Sequence, residues 1–310
     1  MATKNPFKYA SGKRVEITNS QTKQIKDLYK ELYDDVKREL RYISKSTSDY
    51  AIARQEYLRG LKQEYSEALR QIDSKTETIV KNNMDNMVQI VLDNNQQYLS
   101  GLGYNSYINN PLIKSDVINR LVTGDIYGGK WSLSSAIWGD NSKKINEINK
   151  IIAKGVAENK SVNEIARQLT KFVNPSRRSL MDIDGIRGRI DYNAIRLART
   201  SIQHAYEEAF VSATRLNPFI DAYRWLTSGG PNVCPLCIER ATEDKYGLGE
   251  GIFPKGSLPL DHPNGQCTFE VVTTMSDEEI SEAIADWYLG DGDPMMNENL
   301  DKFANYLRNA

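Results

Sequence analysis

The chain is expected to be mainly α, with a long N-terminal helical hairpin or bundle and a small α+β region near the C-terminus stapled by cysteine and histidine. Three observations carry that expectation. Apolar residues recur at three- and four-residue steps over much of the first hundred positions, the period of a helix with one buried stripe. No proline interrupts the stretch from about Asp49 to Leu99. Between residues 217 and 275 the texture changes: two β-rich runs bracket a loop, and this region holds all three cysteines and one of the two histidines.

Taken in order, residues 1 to about 17 show no helical period and read as a flexible arm. Ile25, Leu28, Tyr29, Leu32, Tyr33, Val36, Leu40 and Ile43 then form one stripe, with Thr18 and Gln21 in capping-box register ahead of it. Ser44 to Ser48 is a polar break. From Asp49 the pattern resumes through Leu58, Leu61, Tyr65, Leu69, Ile72, Val80, Met87, Val88, Val91 and Leu92. This is compatible with one helix of roughly 75 Å or with two that bend near Asp73 to Thr78. A stripe so narrow on helices so long suits packing against other chains, although a self-contained bundle satisfies the same pattern. Gly101 and Gly103 supply C-cap chemistry, so residues 1–103 read as extended N-terminal helices.

Residues 104–130 form a connector holding Pro111, Gly124, Gly128 and Gly129, with a short helix expected around Ser115 to Val122. Residues 131–216 form a helical body. Its expected helices run from Ser142 to Ala157, from Ser161 to Phe172 behind a Ser161/Glu164 capping box, and from Ile190 to Leu216. The last buries Ile195, Ala198, Ile202, Ala205, Ala209, Ala213 and Leu216, and leaves His204 on the solvated side. Arg177, Arg178, Arg187 and Arg189 lie in a loop without aromatic interleaving and read as surface charge. Residues 276–310 form an acidic helical tail: Ser276 to Leu289 behind a Ser276/Glu279 box, then a short helix from Leu300 to Arg308.

The chemistry lies in residues 217–275. Cys234-Pro-Leu-Cys237 is followed, after 24 intervening residues, by His262 and Cys267 in H-x4-C spacing. Strands are expected at Ala222 to Thr227 and Cys267 to Thr273, with a Gly/Pro-rich loop between that has little core of its own. Cys234, Cys237, His262 and Cys267 are four soft or borderline donors in two short clusters, the set that a tetrahedral structural zinc takes. A catalytic zinc normally keeps one position for water, whereas four protein ligands fill this set. Buried free thiols, or a Cys234–Cys237 disulfide with Cys267 left over, are the competing readings of the same residues. Asp261 is placed to orient the His262 ring or to be a solvated loop charge.

Composition narrows the classes. The formal net charge is −1, but residues 276–310 hold nine acidic against two basic side chains, so the body is mildly basic. That permits contact with DNA or an acidic surface without requiring it. Three cysteines in 310 residues do not make a disulfide scaffold and suit a reducing compartment. No apolar run has the length of a membrane span, no signal-peptide core opens the chain, and no Walker or dinucleotide motif is present. A soluble protein, cytoplasmic at synthesis, is expected.

The stretch Leu197-Ala198-Arg199-Thr200, Trp225 on a strand, Cys234-x-x-Cys237, Gly251 to Phe253, and Leu260-Asp261-His262-Pro263-Asn264 with Cys267 resembles the Mu F-like minor head morphogenesis proteins of tailed phages. The resemblance covers about residues 190 to 275. In that family the second cluster usually reads His-Pro-Asn-Cys-Arg-Cys; here Gly265 stands in place of the first cysteine, and Ser201 follows Ala-Arg-Thr where an acidic residue is common. The resemblance implies a low-copy, non-enzymatic component of the phage head. It implies incorporation near the portal vertex during procapsid assembly in the host cytoplasm, with portal, scaffolding or major capsid protein as partners and some members linked to DNA packaging or delivery. The long N-terminal helices would suit that docking.

Other classes fit less well. A nuclease of the His-metal finger type would use His262 as general base, removing it from the zinc set, and only His204 would remain to help hold a catalytic metal. A nucleobase deaminase needs H-x-E, but Ala-Tyr follows His204 and Pro-Asn follows His262. A zinc-ribbon DNA-binding module would need a dense basic patch around the cysteines, and none is there.

Overall fold

The computed structural model describes residues 2–43, 51–130, 132–158, 160–174, 190–231 and 233–309. The polar break expected at Ser44 to Ser48 and the arginine-bearing loop after Pro175 lie outside these residues. The described chain is mainly α with one small sheet. Its elements are β1 (Ala2–Lys4), α1 (Lys8–Ile43), α2 (Ala51–Gly101), α3 (Asn110–Thr123), α4 (Leu133–Ala157), α5 (Val162–Val173), α6 (Tyr192–Thr214), β2 (Ala222–Leu226), α7 (Pro235–Thr242), β3 (Ile252–Pro254), β4 (Thr268–Thr273), α8 (Asp277–Leu289) and α9 (Pro294–Asn309). They form two compact units, each assembled from segments distant in sequence.

The first unit takes Met1–Thr18, Asn82–Ile126 and Thr200–Ala310. Its sheet is antiparallel in the order β1-β4-β2-β3, with Thr3 opposite Val272 and Trp225 opposite Phe269. An aromatic core joins sheet to helix: Phe210 of α6 meets Phe7 at 4.8 Å, Tyr223 at 5.2 Å and Phe269 at 5.7 Å, each ring tilted or edge-on to Phe210. The α6 stripe Ile202, Ala205, Ala209 and Ala213 is buried as expected, but so is the rest of the helix from Thr200 to Phe210. His204 is therefore inside, 3% exposed, contrary to the solvated position expected for it, and Leu216 lies beyond the helix end and is exposed.

The N-terminus also departs from expectation. Residues 2–4 pair with β4, α1 begins at Lys8, and Phe7, Ala10 and Arg14 are buried. A three-residue strand has no period to read, and it gains its hydrogen bonds only from a partner some 270 positions on. Thr18 and Gln21 are mid-helix, not a cap. α3 is longer than expected because Pro111 sits in its first turn, where a missing N–H costs nothing, behind the Asn109 cap. The acidic tail is not loose: Leu300, Phe303 and Leu307 of α9 are buried, Asn109 N–H donates to Leu307 O at 2.7 Å, and Trp287 stacks on Tyr104 at 6.0 Å. α9 also starts earlier than expected, with Pro294 in its first turn.

The second unit takes Asn19–Lys81 and Tyr127–Arg199. Ile25, Tyr29 and Leu32 of α1 and Leu58, Leu61, Tyr65, Leu69 and Ile72 of α2 are buried at the predicted spacing. α2 is one continuous helix, since no residue near Asp73 breaks it. α4 starts at Leu133, ahead of the expected Ser142, behind a Ser132/Ser135 capping box, and α5 follows the expected Ser161/Glu164 box. Lys144 of α4 is fully buried; its Nζ donates to the Tyr29 hydroxyl at 2.7 Å and lies 4.8 Å from the ring centroid.

Candidate metal centre

The first ligand pair is built by a helix start. Cys234 caps α7: its sulfur accepts the Cys237 N–H at 3.4 Å, and Pro235 occupies the first turn. This sets the two thiols one turn apart on the same end of a short helix. Cys237 is buried and Cys234 half-buried. The second pair sits on the loop that leads into β4. A turn closed by Gly265 N–H to His262 O at 2.8 Å, with Asn264 in the left-handed region at φ 69°, carries the chain from His262 to Cys267.

The two pairs converge. Cys234 Sγ lies 3.1 Å from His262 Nε2. Cys234, Cys237 and His262 form one triple of donors, and Cys237, Asp261 and Cys267 a second; within each triple all ligand atoms lie within 4.8 Å of one another. The triples share Cys237. A tetrahedral ion with bonds of about 2.0 Å to nitrogen and 2.3 Å to sulfur spaces neighbouring ligands by about 3.5 Å, the scale found here. The His262 ring is turned correctly for this role: Nδ1 is 3.1 Å from Pro263 O, so a proton on Nδ1 leaves the Nε2 lone pair for the centre. The cluster can hold a metal ion.

The thiols are not equivalent. Burial pushes Cys237 up, and its neighbours Cys267 and Cys234 add to the rise. Burial raises Cys267 as well, aided by the Asp261 charge. Partial burial also works to raise Cys234, but the Cys237 N–H and the imidazole outweigh it, and this thiol sits below its ordinary range. The buried Trp225 indole N–H has no hydrogen-bond partner among the described residues, and it favours the ionised form of Cys267. An orphaned donor beside a sulfur fits a thiolate there.

Asp261 organises the second pair. Its side chain is fully buried; Oδ1 accepts the His262 N–H at 2.8 Å and Oδ2 accepts the Cys267 N–H at 3.0 Å. The carboxylate thus holds the backbones of both ligands, and is neither a solvated loop charge nor bonded to the imidazole ring, the two roles the sequence left open; Oδ1 stands 3.8 Å from Nε2. Gly265 is required by the same carboxylate: a Cβ at this position would fall inside the Asp261 side chain, so no cysteine fits where the resembling family carries one. Gly265 does not take a positive φ, so space and not conformation excludes other residues.

A layer from α6 and α1 supports Asp261 and Cys267, and sequence reasoning missed it. Glu207 accepts the Asp261 N–H at 3.1 Å and the Gln203 side-chain amide at 2.8 Å. Gln203 also donates to Cys267 O at 2.7 Å, His204 Nε2 bonds Asp261 O at 2.9 Å, and Thr200 accepts the Asn264 N–H at 2.9 Å. Burial pushes the Glu207 carboxyl up to about 8, so it keeps its proton at neutral pH. The available signal was the absence of lysine or arginine from Thr200 to Ala213, which marks a helix with no solvated face.

No family model, curated protein or solved structure matches this chain. Among the described residues, no helix is long and apolar enough to cross a membrane.

Proposed function

We propose that this chain is a non-enzymatic structural protein whose sheet-bearing module is cross-linked by one zinc ion, and that it serves as a minor head morphogenesis protein of a tailed phage. The observation that carries the zinc reading is the pair of donor triples, Cys234/Cys237/His262 and Cys237/Asp261/Cys267, that share Cys237 and join two segments separated by 24 residues. Cys234, Cys237, His262 and Cys267 would hold the ion, and Asp261, with both oxygens engaged by backbone N–H groups, would stay outside the coordination sphere. The ion supplies a cross-link that the Gly/Pro-rich loop between β2 and β4 otherwise lacks.

The role in the head rests on the resemblance of residues 190 to 275 and on the long helices α1 and α2, whose length suits docking on another assembly. Docking at the portal vertex, with portal, scaffolding or major capsid protein as partner and DNA as a further contact, belongs to that reading, as does residence in the virion. His262 engages Cys234 sulfur and Pro263 O through its two ring nitrogens, which weighs for a ligand and against a general base in a nuclease.

Elemental analysis of purified full-length protein is expected to return about one zinc per chain, lost in Cys237→Ser. Co-purification with portal protein is expected to survive that substitution. Material free of transition metal with an ordered module would overturn the zinc reading. Magnesium-dependent nicking of plasmid DNA, abolished by His262→Ala, would overturn the non-enzymatic one.

A further inference from the structure

Arg14 lies on α1, 253 positions before Cys267, yet the residue is 5% exposed and its guanidinium grips the loop that carries the second ligand pair. Nη1 donates to Cys267 O at 2.5 Å and to Gln203 Oε1, and Nη2 donates to Gln266 O at 3.1 Å. The same guanidinium lies 5.3 Å from the Tyr206 ring centroid. A buried cation is costly unless its donors and its charge are both answered. Carbonyls and an amide answer the donors. Burial holds the guanidinium below its ordinary range, and the Asp261 carboxylate works against that lowering.

Filling the metal site changes that balance in one direction. Three thiolates around a dication carry one net negative charge more than three neutral thiols, and Arg14 faces that charge. Arg14 also fixes the backbone from which the Cys267 side chain projects. The segment that delivers it is itself docked on the strand that leaves the site: β1 pairs with Val271 to Thr273 at the far end of β4, and Phe7 packs edge-on against Phe210.

We propose that Arg14 is a positioning residue of the metal centre and that docking of the N-terminal segment, residues 2–14, is thermodynamically coupled to metal binding. The proposal rests on the metal reading of the Cys/His cluster. Coupling is reciprocal: whatever factor Arg14 contributes to metal affinity, metal contributes to docking of the segment. Losing its partner would let the N-terminal strand leave the edge of β4, so metal content would decide whether that edge is covered.

The test uses full-length protein and cobalt(II) as probe, titrated against a competing chelator while the thiolate–cobalt absorption is read. Arg14→Ala is expected to weaken binding about ten- to hundredfold, the usual effect of removing a hydrogen-bond partner behind a ligand. Arg14→Lys, which keeps the charge but not the fork, is expected to fall between wild type and Arg14→Ala. Lys13→Ala, which removes an exposed pair with Glu16 on the same turn, is expected to bind as wild type. Independently of any variant, chelation of the wild-type protein is expected to speed hydrogen exchange in residues 2–14. Wild type that binds cobalt while Arg14→Ala binds within twofold of it, or exchange in residues 2–14 that ignores chelation, would overturn the coupling alone. Wild type that binds no cobalt would overturn the metal reading and the coupling with it.

Discussion

Gly265→Ala is expected to destabilise the sheet-bearing unit severely although it adds a single methyl group. The added Cβ would occupy the place of the Asp261 carboxylate, so that side chain must move. Moving it breaks the bonds to His262 N–H at 2.8 Å and Cys267 N–H at 3.0 Å. Hydrogen bonds to a charged group contribute about 1.5–3 kcal/mol each, and the carboxylate would remain in a site from which its side chain reaches no solvent. The Gly-to-Ala change at an ordinary φ recovers about 0.4–1 kcal/mol through the unfolded chain. The net expectation is a loss of about 3–5 kcal/mol. Urea unfolding of the full chain measures it, read together with hydrogen exchange at residues 261–267 so that the local unit is followed. In an Asp261→Ala background the space is free, and the same methyl should cost less than about 1 kcal/mol, a coupling of at least about 2 kcal/mol. A Gly265→Ala protein within about 1 kcal/mol of wild type, with His262 and Cys267 amides still protected, would refute the argument that this carboxylate holds both ligands.

Three further outcomes follow from the site. Chelation of the wild-type protein should lower the melting temperature of the unit containing β2 to β4, and His262→Ala should melt at the chelated value with or without added zinc, as thermal scans would show. Metal uptake should release protons near pH 7, because burial holds Cys237 and Cys267 above the ordinary thiol range; affinity then rises with pH, and calorimetry in buffers of different ionisation enthalpy counts the protons. Glu207 retains its proton up to about pH 8 when folded but loses it near the ordinary carboxylate value when unfolded, so its contribution to stability is full at acid pH and falls as pH rises through that window. Glu207→Gln should flatten the decline, seen as a smaller difference in unfolding midpoint between pH 5 and pH 7.5.

Much of the helical framework was legible. The Ser161/Glu164 and Ser276/Glu279 boxes start α5 and α8 where the pattern placed them, because a cap is satisfied within four residues and needs nothing from elsewhere. β2 and β4 were legible from their β-branched and aromatic runs. β1 and β3, three residues each, were not, since a strand that short is defined by its neighbour and not by its own period. His204 was misplaced for a related reason: one apolar stripe predicts one buried face, whereas every residue of α6 from Thr200 to Phe210 is buried.

The candidate site divides along the same line. Residue type and local spacing alone marked Cys234, Cys237, His262 and Cys267, because the affinity of thiolate and imidazole for a soft dication is a property of the side chains, and each pair is brought together by a turn of a few residues. That the two pairs meet, that Asp261 serves backbone amides and not a ring, that Gly265 leaves its place to a carboxylate, and that Arg14 reaches the loop from the other end of the chain were settled only by the tertiary structure. Hydrogen bonds and excluded volume depend on atoms a few ångströms apart in space, and separations of 253 residues along the chain carry no local trace of them.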